Sequence, residues 1–199
     1  MIDLFIKTLL KSIMPDYGRS FIDFFGNSDI DALTKEVNKR LDAHDPATAI
    51  GQVLYGLPIE SADLTTKVTG SDWVRPAQGE FGDDDQICLV SSTDIPEKLE
   101  NHLVWFYSKI DPDVVLRNKY DSDRGEFLGI RFKVVRNGKI FTFERHRWIN
   151  SSVVFELDPD EDDQITWEDF WDIQRGLSKE ALADLIEQFP FVLKYFDAK

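Results

Sequence analysis

Cysteine is nearly missing from this sequence, and long apolar runs are missing altogether. The 199 residues include a single cysteine, Cys88, so no disulfide can form within the chain and a reducing compartment is expected. No apolar run approaches the roughly 20 residues that a membrane-spanning helix needs. Asp3, Lys7 and Lys11 interrupt the first apolar segment, and no small-residue cleavage motif follows it, so no secretion signal is expected. These features predict a cytoplasmic protein that does not engage a membrane.

Basic residues are outnumbered, which excludes the commonest kind of nucleic-acid binder. The chain has 23 lysines and arginines against 37 aspartates and glutamates, which gives a formal net charge of -14. Such a charge repels DNA, RNA and anionic membranes, and it attracts basic proteins. The composition therefore favours a basic protein as the partner and argues against nucleic acid.

Catalytic motifs are also scarce. The three histidines are His44, His102 and His146, and no nucleophile motif, glycine-rich phosphate loop or zinc-type spacing accompanies them. His146 follows Glu144 on an extended segment, an arrangement that suits acid–base chemistry, but nothing else supports a reaction there. We therefore expect a non-enzymatic protein and assign no catalytic residue.

Apolar and aromatic residues are plentiful, so a folded core is expected. Hydrophobic residues make up 42% of the chain and aromatic residues 13%. Residues 1–56 carry apolar side chains at helical spacing and predict an N-terminal helical layer. The helices of this layer are expected at residues 2–13, 16–25, 28–41 and 45–56.

Residues 57–150 predict an α+β core, and residues 151–199 predict a helical, acidic C-terminal segment. The core contains a buried strand, a helix, a second strand and a hairpin that turns at Asn137-Gly138, in an order typical of an antiparallel ferredoxin-like sheet. These elements are expected at residues 86–90, 96–109, 114–120 and 127–148. In the C-terminal segment we expect a strand at 153–155, a helix at 166–175 that ends at Gly176, and a helix at 178–189. The three segments are expected to form one compact unit.

The residues around Trp73 and the following core resemble a known family. The shared features are Trp73, the strand at 86–90, Pro96, Trp105-Phe106, Asp111-Pro112-Asp113, Tyr120, Gly125-Glu126-Phe127 and Gly129. Over about residues 70–140 this pattern resembles the plasmid- and phage-encoded YubB-type ferredoxin-like family. The loop before Trp73 is shorter here than in that family. The resemblance implies a ferredoxin-like fold and a mobile-element context, and it carries over no catalytic residue.

The most distinctive stretch is residues 158–169, which hold seven carboxylates and no basic residue. One interpretation is a partner-binding surface, since aromatic side chains beside charged ones are common anchors at protein interfaces. The residues predicted for this surface are Asp158, Asp160, Glu161, Asp162, Asp163, Trp167, Phe170 and Trp171. A plainer interpretation is that the acids stabilise the start of the following helix, where Glu168 and Asp169 meet its dipole.

The same stretch resembles the calcium-binding loop of an EF-hand. Its candidate metal ligands are Asp158, Asp160, Asp162, Gln164 and Asp169, at positions 1, 3, 5, 7 and 12 of such a loop. Asp163 replaces the usual glycine, Asp169 replaces the usual glutamate, and a strand rather than a helix precedes the loop. Calcium binding is thus an alternative function, and calcium is the one cofactor that the sequence suggests.

A second alternative comes from the hairpin, which is locally basic. Residues 117–147 contain nine basic and four acidic side chains, a local net charge of +5. Nucleic acid would be held by Arg131, Lys133, Arg136, Lys139 and Arg145. The competing explanation is that these cations pair with the acidic C-terminal segment of the same chain.

The leading expectation is an interaction protein of bacterial or mobile-element origin that occludes a basic partner, in the manner of immunity or anti-defence proteins.

Overall fold

The computed structural model of the protein describes residues 17–43, 74–77, 86–92, 96–122, 125–149, 152–154 and 164–196. These residues form a mixed α+β structure. The helices predicted at 2–13 and 45–56 lie outside the described residues. The predicted segment boundaries near residues 56 and 150 stay predictions.

The described chain alternates between strands and helices in its first half and ends in helix. The strands are β1 (Tyr17–Phe25), β2 (Val74–Pro76), β3 (Ile87–Ser92), β4 (Val115–Ser122), β5 (Phe127–Arg136), β6 (Lys139–Trp148), β7 (Ser152–Val154) and β8 (Gln164–Thr166). The helices are α1 (Ser28–Ala43), α2 (Glu97–Tyr107), α3 (Trp167–Gln188), a 3-10 turn (Pro190–Val192) and α4 (Leu193–Phe196).

Six of the strands form one antiparallel sheet in the order β2-β3-β1-β4-β5-β6. Strand β1 lies inside the sheet, between β3 and β4, although it comes first among the described elements. The last two strands form a separate parallel pair, in which Val153 lies opposite Ile165. The predicted strands at 86–90 and 114–120 and the predicted helix at 96–109 are confirmed as β3, β4 and α2.

The helix predicted at residues 16–25 is wrong, because this segment is strand β1. Its four aromatic residues fit a helical face, but the same segment also alternates between two sides of a strand. Ile22 and Phe24 are buried in the cluster formed with α1 and α2, whereas Phe21 packs with Ala77 and Cys88 in a separate cluster. A segment with a hydrogen-bonded neighbour on each side gains two ladders, and that pairing outweighs a weak helical pattern.

Each face of the sheet has its own apolar core. Helices α1 and α2 cover one face, where Leu99 and Leu103 pack on the strands. Helix α3 and the C-terminal turn cover the β4-β5-β6 part of the other face, where Phe132 and Leu185 are buried. The C-terminal tail docks there, with the Phe196 ring 4.6 Å from the Phe25 ring. We call these the α2 face and the α3 face.

The predicted hairpin is confirmed as β5 and β6. Its turn places Asn137 at φ 51° and Gly138 at φ 70°, the left-handed backbone that a two-residue hairpin turn requires at both positions. The register pairs Arg136 with Lys139 and extends to Phe127 opposite Trp148. Asn-Gly therefore fixes which side chains of β5 point toward each face.

The two C-terminal helices that Gly176 was expected to separate are one continuous helix of 22 residues. Glycine in a helix interior costs only about 1 kcal/mol relative to alanine, so a single glycine ends a helix only when the flanking pattern also ends. Here Phe170, Ala181 and Leu185 keep facing the sheet on both sides of Gly176.

Within the described ranges, no helix combines the length and the apolar character needed to cross a membrane.

Replacing Gly176 with alanine tests whether the helix is continuous. A Cβ atom at this position would meet nothing within 4 Å, so the substitution adds helix propensity without a clash. We expect Gly176→Ala to raise the free energy of unfolding by about 0.5–1 kcal/mol, measured by urea denaturation. A destabilised variant would contradict a continuous helix and favour a break at Gly176.

Candidate functional site

Helix α3 begins with a capping box that uses one of the predicted acidic residues. The Thr166 hydroxyl accepts from the Asp169 amide at 3.1 Å, and the Asp169 carboxylate accepts from the Thr166 hydroxyl at 2.7 Å and from its amide at 3.2 Å. The Thr166 hydroxyl, followed by its backbone amide, holds the pKa of Asp169 below its ordinary value. The sequence-based expectation that acids stabilise the start of this helix is confirmed at Asp169.

An aromatic cluster follows the cap on the first turns of α3. The Trp167 and Trp171 rings are 5.9 Å apart and stacked, and Phe170 contacts both edge-on. Trp171 is exposed, Trp167 is half-buried, and Phe170 is fully buried. Phe170 was predicted as a partner contact, and that assignment is wrong, since position 170 shares the sheet-facing side of the helix with Gln174 and Ala181. Trp167 and Trp171 remain available as partner contacts.

The acidic part of the predicted surface lies outside the described residues. This applies to Asp158, Asp160, Glu161, Asp162 and Asp163. The strands that flank the acidic residues, β7 and β8, pair with each other. The described strands on either side of residues 155–163 are thus hydrogen-bonded to each other, and β8 leads into the helix that starts at Trp167.

The calcium interpretation loses one ligand in the described structure. Gln164 lies in β8, and Asp169 is engaged in the capping box. A strand precedes the acidic stretch, as the sequence indicated, where an EF-hand has a helix. Among the described residues, no group of three or more histidine, cysteine or carboxylate side chains is arranged to hold a metal ion. Because Asp158, Asp160 and Asp162 are not described, calcium binding stays a prediction.

The basic hairpin residues occupy very different environments. Arg131 and Lys133 point to the α2 face and are buried, at 7% and 0% exposure. Helix α2 covers them, because Glu100 and Glu97 of that helix lie against β5. An external polymer cannot reach these two side chains, so the structure contradicts them as nucleic-acid contacts. The alternation of β5 correctly placed them on one face, but it did not show that a helix covers that face.

Glu100 is the centre of this buried network. Both of its carboxylate oxygens accept from Nη1 of Arg131 at 3.0 Å. The carboxylate also lies 3.3 Å from the Lys133 ammonium and accepts from the Asn118 amide at 2.7 Å. Lys133 also donates to Asn101 at 2.5 Å. A fully buried carboxylate with two cations and an amide is well compensated, which is the condition for its stable burial.

The network continues toward the edge of the sheet through Glu144. Arg131 donates to Glu144 at 2.6 Å, and the Tyr120 hydroxyl donates to the same oxygen at 2.5 Å. Burial raises the pKa of Glu144, but the bonds from Tyr120 and Arg131 outweigh it and leave the pKa below its ordinary value. The Tyr120 ring covers Gly129, where a Cβ atom would fall within 2.5 Å of the ring. Glu144 is thus a structural carboxylate that accepts from Tyr120 and Arg131.

The remaining hairpin cations lie nearer the surface, two of them in ion pairs. Arg136 donates to Asp113 at 2.8 Å and lies over the Phe191 ring at 3.8 Å. Arg145 pairs with Asp184 and Glu180 of α3, which confirms for this residue the predicted pairing with the acidic C-terminal segment. Lys139 is exposed in the turn.

Sequence patterns missed a cleft on the α3 face, between α3 and strands β1 and β4. It comprises two cavities of about 460 and 320 Å³ that share Lys119, Trp171 and Gln174. The other described lining residues are Arg19, Phe21, Gln86, Arg117, Arg175, Ser178 and Lys179. These residues come from four separate parts of the chain, so no linear motif marks them. The only signal was alternation in β4, which puts Arg117 and Lys119 on one face.

Breaking the buried network should cost far more stability than breaking a surface pair. Removing one partner from a buried ion pair typically costs 3–5 kcal/mol, whereas exposed pairs contribute about 1 kcal/mol or less. We expect Arg131→Met to lower the free energy of unfolding by about 3 kcal/mol. Arg145→Met, whose pair with Asp184 is about two-fifths exposed, is the matched control and should lose less than about 1 kcal/mol. Equal losses in urea denaturation would contradict the assigned burial of Arg131.

The lowered pKa of Glu144 makes stability pH-dependent. A carboxylate whose pKa is depressed by folding adds stability above its unfolded pKa, and that stability is lost as the pH falls through the folded value. We therefore expect the melting temperature to fall as the pH drops below about 4.3, and Glu144→Gln to flatten this acid limb. Glu187→Gln, at an exposed position on α3, should keep the wild-type profile. An unchanged acid limb in Glu144→Gln would contradict the role of Glu144.

A function for this chain has to be argued from the side chains described above. When the chain was compared with protein-family models, with curated proteins and with solved structures, nothing matched it. The candidate functional site is the N-terminal part of α3, where Trp167 follows the acidic stretch in the sequence and Trp171 lines the basic cleft.

Proposed function

We propose that this protein is a non-enzymatic recognition protein that binds a basic protein partner through the acidic stretch at 158–163 and the adjoining Trp167 and Trp171. Binding would occlude the basic surface of the partner, as immunity and anti-defence proteins do. The proposed setting is the cytoplasm of a bacterium or a mobile element within one. The observation that carries the proposal is that four cations of the hairpin, Arg131, Lys133, Arg136 and Arg145, are compensated by carboxylates other than those of residues 158–163.

These ion pairs matter because they determine which molecules the net negative charge of the chain can attract. Arg131 and Lys133 pair with Glu100, Arg136 pairs with Asp113, and Arg145 pairs with Glu180 and Asp184. These cations are therefore engaged elsewhere in the described structure. The net charge of -14 then acts on a basic partner, whose association it accelerates at long range.

The two tryptophans supply the short-range part of recognition. Tryptophan is enriched at interface hot spots because it buries a large apolar area while its indole N–H keeps a polar contact. Trp171 is 36% exposed and is stacked on Trp167 at the start of a long helix, so its position is fixed before binding. A rigid anchor loses little side-chain entropy on docking.

We further propose that the fold is ferredoxin-like and that the resemblance to the YubB-type family reflects shared ancestry. Support comes from the strand order β2-β3-β1-β4, with α1 after β1 and α2 between β3 and β4. Residues of the resemblance also have structural roles. Asp111 accepts from the Asn27 amide at 2.8 Å, and Tyr120 covers Gly129.

Neutralising the acidic stretch tests the proposed function. The variant Asp160→Asn, Asp162→Asn, Asp163→Asn removes three charges, and the variant Asp83→Asn, Asp84→Asn, Asp85→Asn is the matched control. We expect the wild type and the control to retain strongly basic proteins from a bacterial lysate, as identified by mass spectrometry. With a captured partner, the first variant should slow association by roughly tenfold at low salt, measured by surface plasmon resonance. Equal association rates for the two variants would overturn the assignment of residues 158–163.

A further inference from the structure

We infer that the cleft between α3 and strands β1 and β4 is a binding site for a nucleotide, with the phosphate held by its basic side chains and the base stacked on Trp171. The site shares Trp171 with the partner surface proposed above, but its other lining residues are separate, and the inference does not depend on that proposal. The two cavities have a size usual for small-molecule sites, and they are formed largely by side chains that converge from different elements.

Charge gives the first argument. The described residues that line the cleft include five cations and no carboxylate, in a chain of net charge -14. The cations are Arg19, Arg117, Lys119, Arg175 and Lys179. Such a concentration of positive charge against the overall sign of the chain favours an anionic ligand.

The arginines of the cleft are oriented by aspartates that stand beside it. Arg117 donates to Asp23 at 2.7 Å across the β1–β4 ladder, and Arg175 pairs with Asp172 one turn away on α3. A guanidinium has five N–H donors, so an arginine held by one aspartate keeps donors for a second anion. Lys179 is exposed one turn beyond Arg175 on the same side of the helix.

Gln174 gives an independent argument. This side chain lines both cavities and is only 6% exposed, yet its amide nitrogen has no hydrogen-bond acceptor in the described structure. A buried polar group without a partner destabilises the fold, so such groups are normally satisfied. An acceptor on a ligand, such as a phosphate oxygen, would satisfy it.

Trp171 indicates that the anion is a nucleotide rather than an acidic peptide. Its indole lines both cavities, and Phe21 lines the smaller one. Stacking on an aromatic ring stabilises a bound base, whereas an acidic peptide has no aromatic ring to stack there. The overall negative charge also opposes a long polyanion, which would extend beyond the cleft into a repulsive field. These features together favour a nucleotide, free or as part of a short single strand.

The binding test uses isothermal titration calorimetry of the whole chain at low salt with AMP and ATP. We expect dissociation constants below about 1 mM for both, and at least tenfold weaker binding of ribose 5-phosphate, which lacks the base. Absence of binding up to about 5 mM nucleotide would overturn the inference. It would also be overturned by equal affinity for ribose 5-phosphate, or by tighter binding of a hexa-aspartate peptide. Tighter binding of a four-nucleotide single strand than of AMP would support the site and identify its ligand as part of a short single strand. Tighter binding of AMP would support the site and identify its ligand as a free nucleotide.

A substitution at Gln174 separates a binding role from a structural one. Gln174→Leu removes the unpartnered amide from a buried position, so we expect a raised melting temperature together with an approximately tenfold loss of AMP affinity. Lys179→Ala should also weaken AMP binding severalfold, whereas Lys98→Ala, at an exposed lysine of α2, should leave it unchanged. Unchanged AMP affinity in both Gln174→Leu and Lys179→Ala would overturn the site. A loss in Lys98→Ala as large as that in Lys179→Ala would assign the binding to general charge and overturn it as well.

Discussion

Glu100 is a fully buried carboxylate, and its compensation determines how α2 can cover the sheet. An isolated charge at this depth would cost several kcal/mol, so the strands beneath α2 must present cations and amides in fixed positions. Arg131, Lys133 and Asn118 meet that need from two neighbouring strands. The register of β4 and β5 is thereby tied to the position of α2, because a slip of one residue would move both cations to the apolar face. Strand β5 is basic because Arg131 and Lys133 compensate Glu100. From the sequence alone, the same basic residues suggest nucleic-acid binding.

Elements with a strong local sequence signal could be predicted from the sequence. Elements whose structure depends on packing or pairing with distant parts of the chain could not. The hairpin needs a left-handed backbone at Asn137 and Gly138, and few residue pairs provide it, so its position was clear. Strand β1 has aromatic residues whose spacing fits both a helix and a strand, and only its pairing with β3 and β4 makes it a strand. Gly176 illustrates the converse, since a residue that commonly ends helices lies within one when the apolar pattern continues on both sides.

The candidate site was predictable to a similar, partial extent. Trp167 and Trp171 could be found because they follow a conspicuous acidic stretch in the chain. Phe170 belongs to the same short motif but is buried, since adjacent helix positions point in different directions and the sequence does not show which direction meets the sheet. The cleft was missed for a geometric reason. Its cations come from β1, β4 and α3, and only the sheet order brings β1 beside β4.

The acidic stretch and the basic cleft have opposite charge. The acidic stretch precedes Trp171 in the sequence, and Trp171 lines the cleft. At physiological ionic strength the field of a charge is screened over about 8 Å, so a ligand within the cleft responds mainly to the cations around it. A large partner instead responds to the charge of the whole chain. Ligands at the two proposed sites use the same indole, so occupation of one site changes the affinity of the other by a reciprocal factor. A nucleotide stacked on Trp171 would cover the ring that anchors a basic protein, so the expected sign of this coupling is negative.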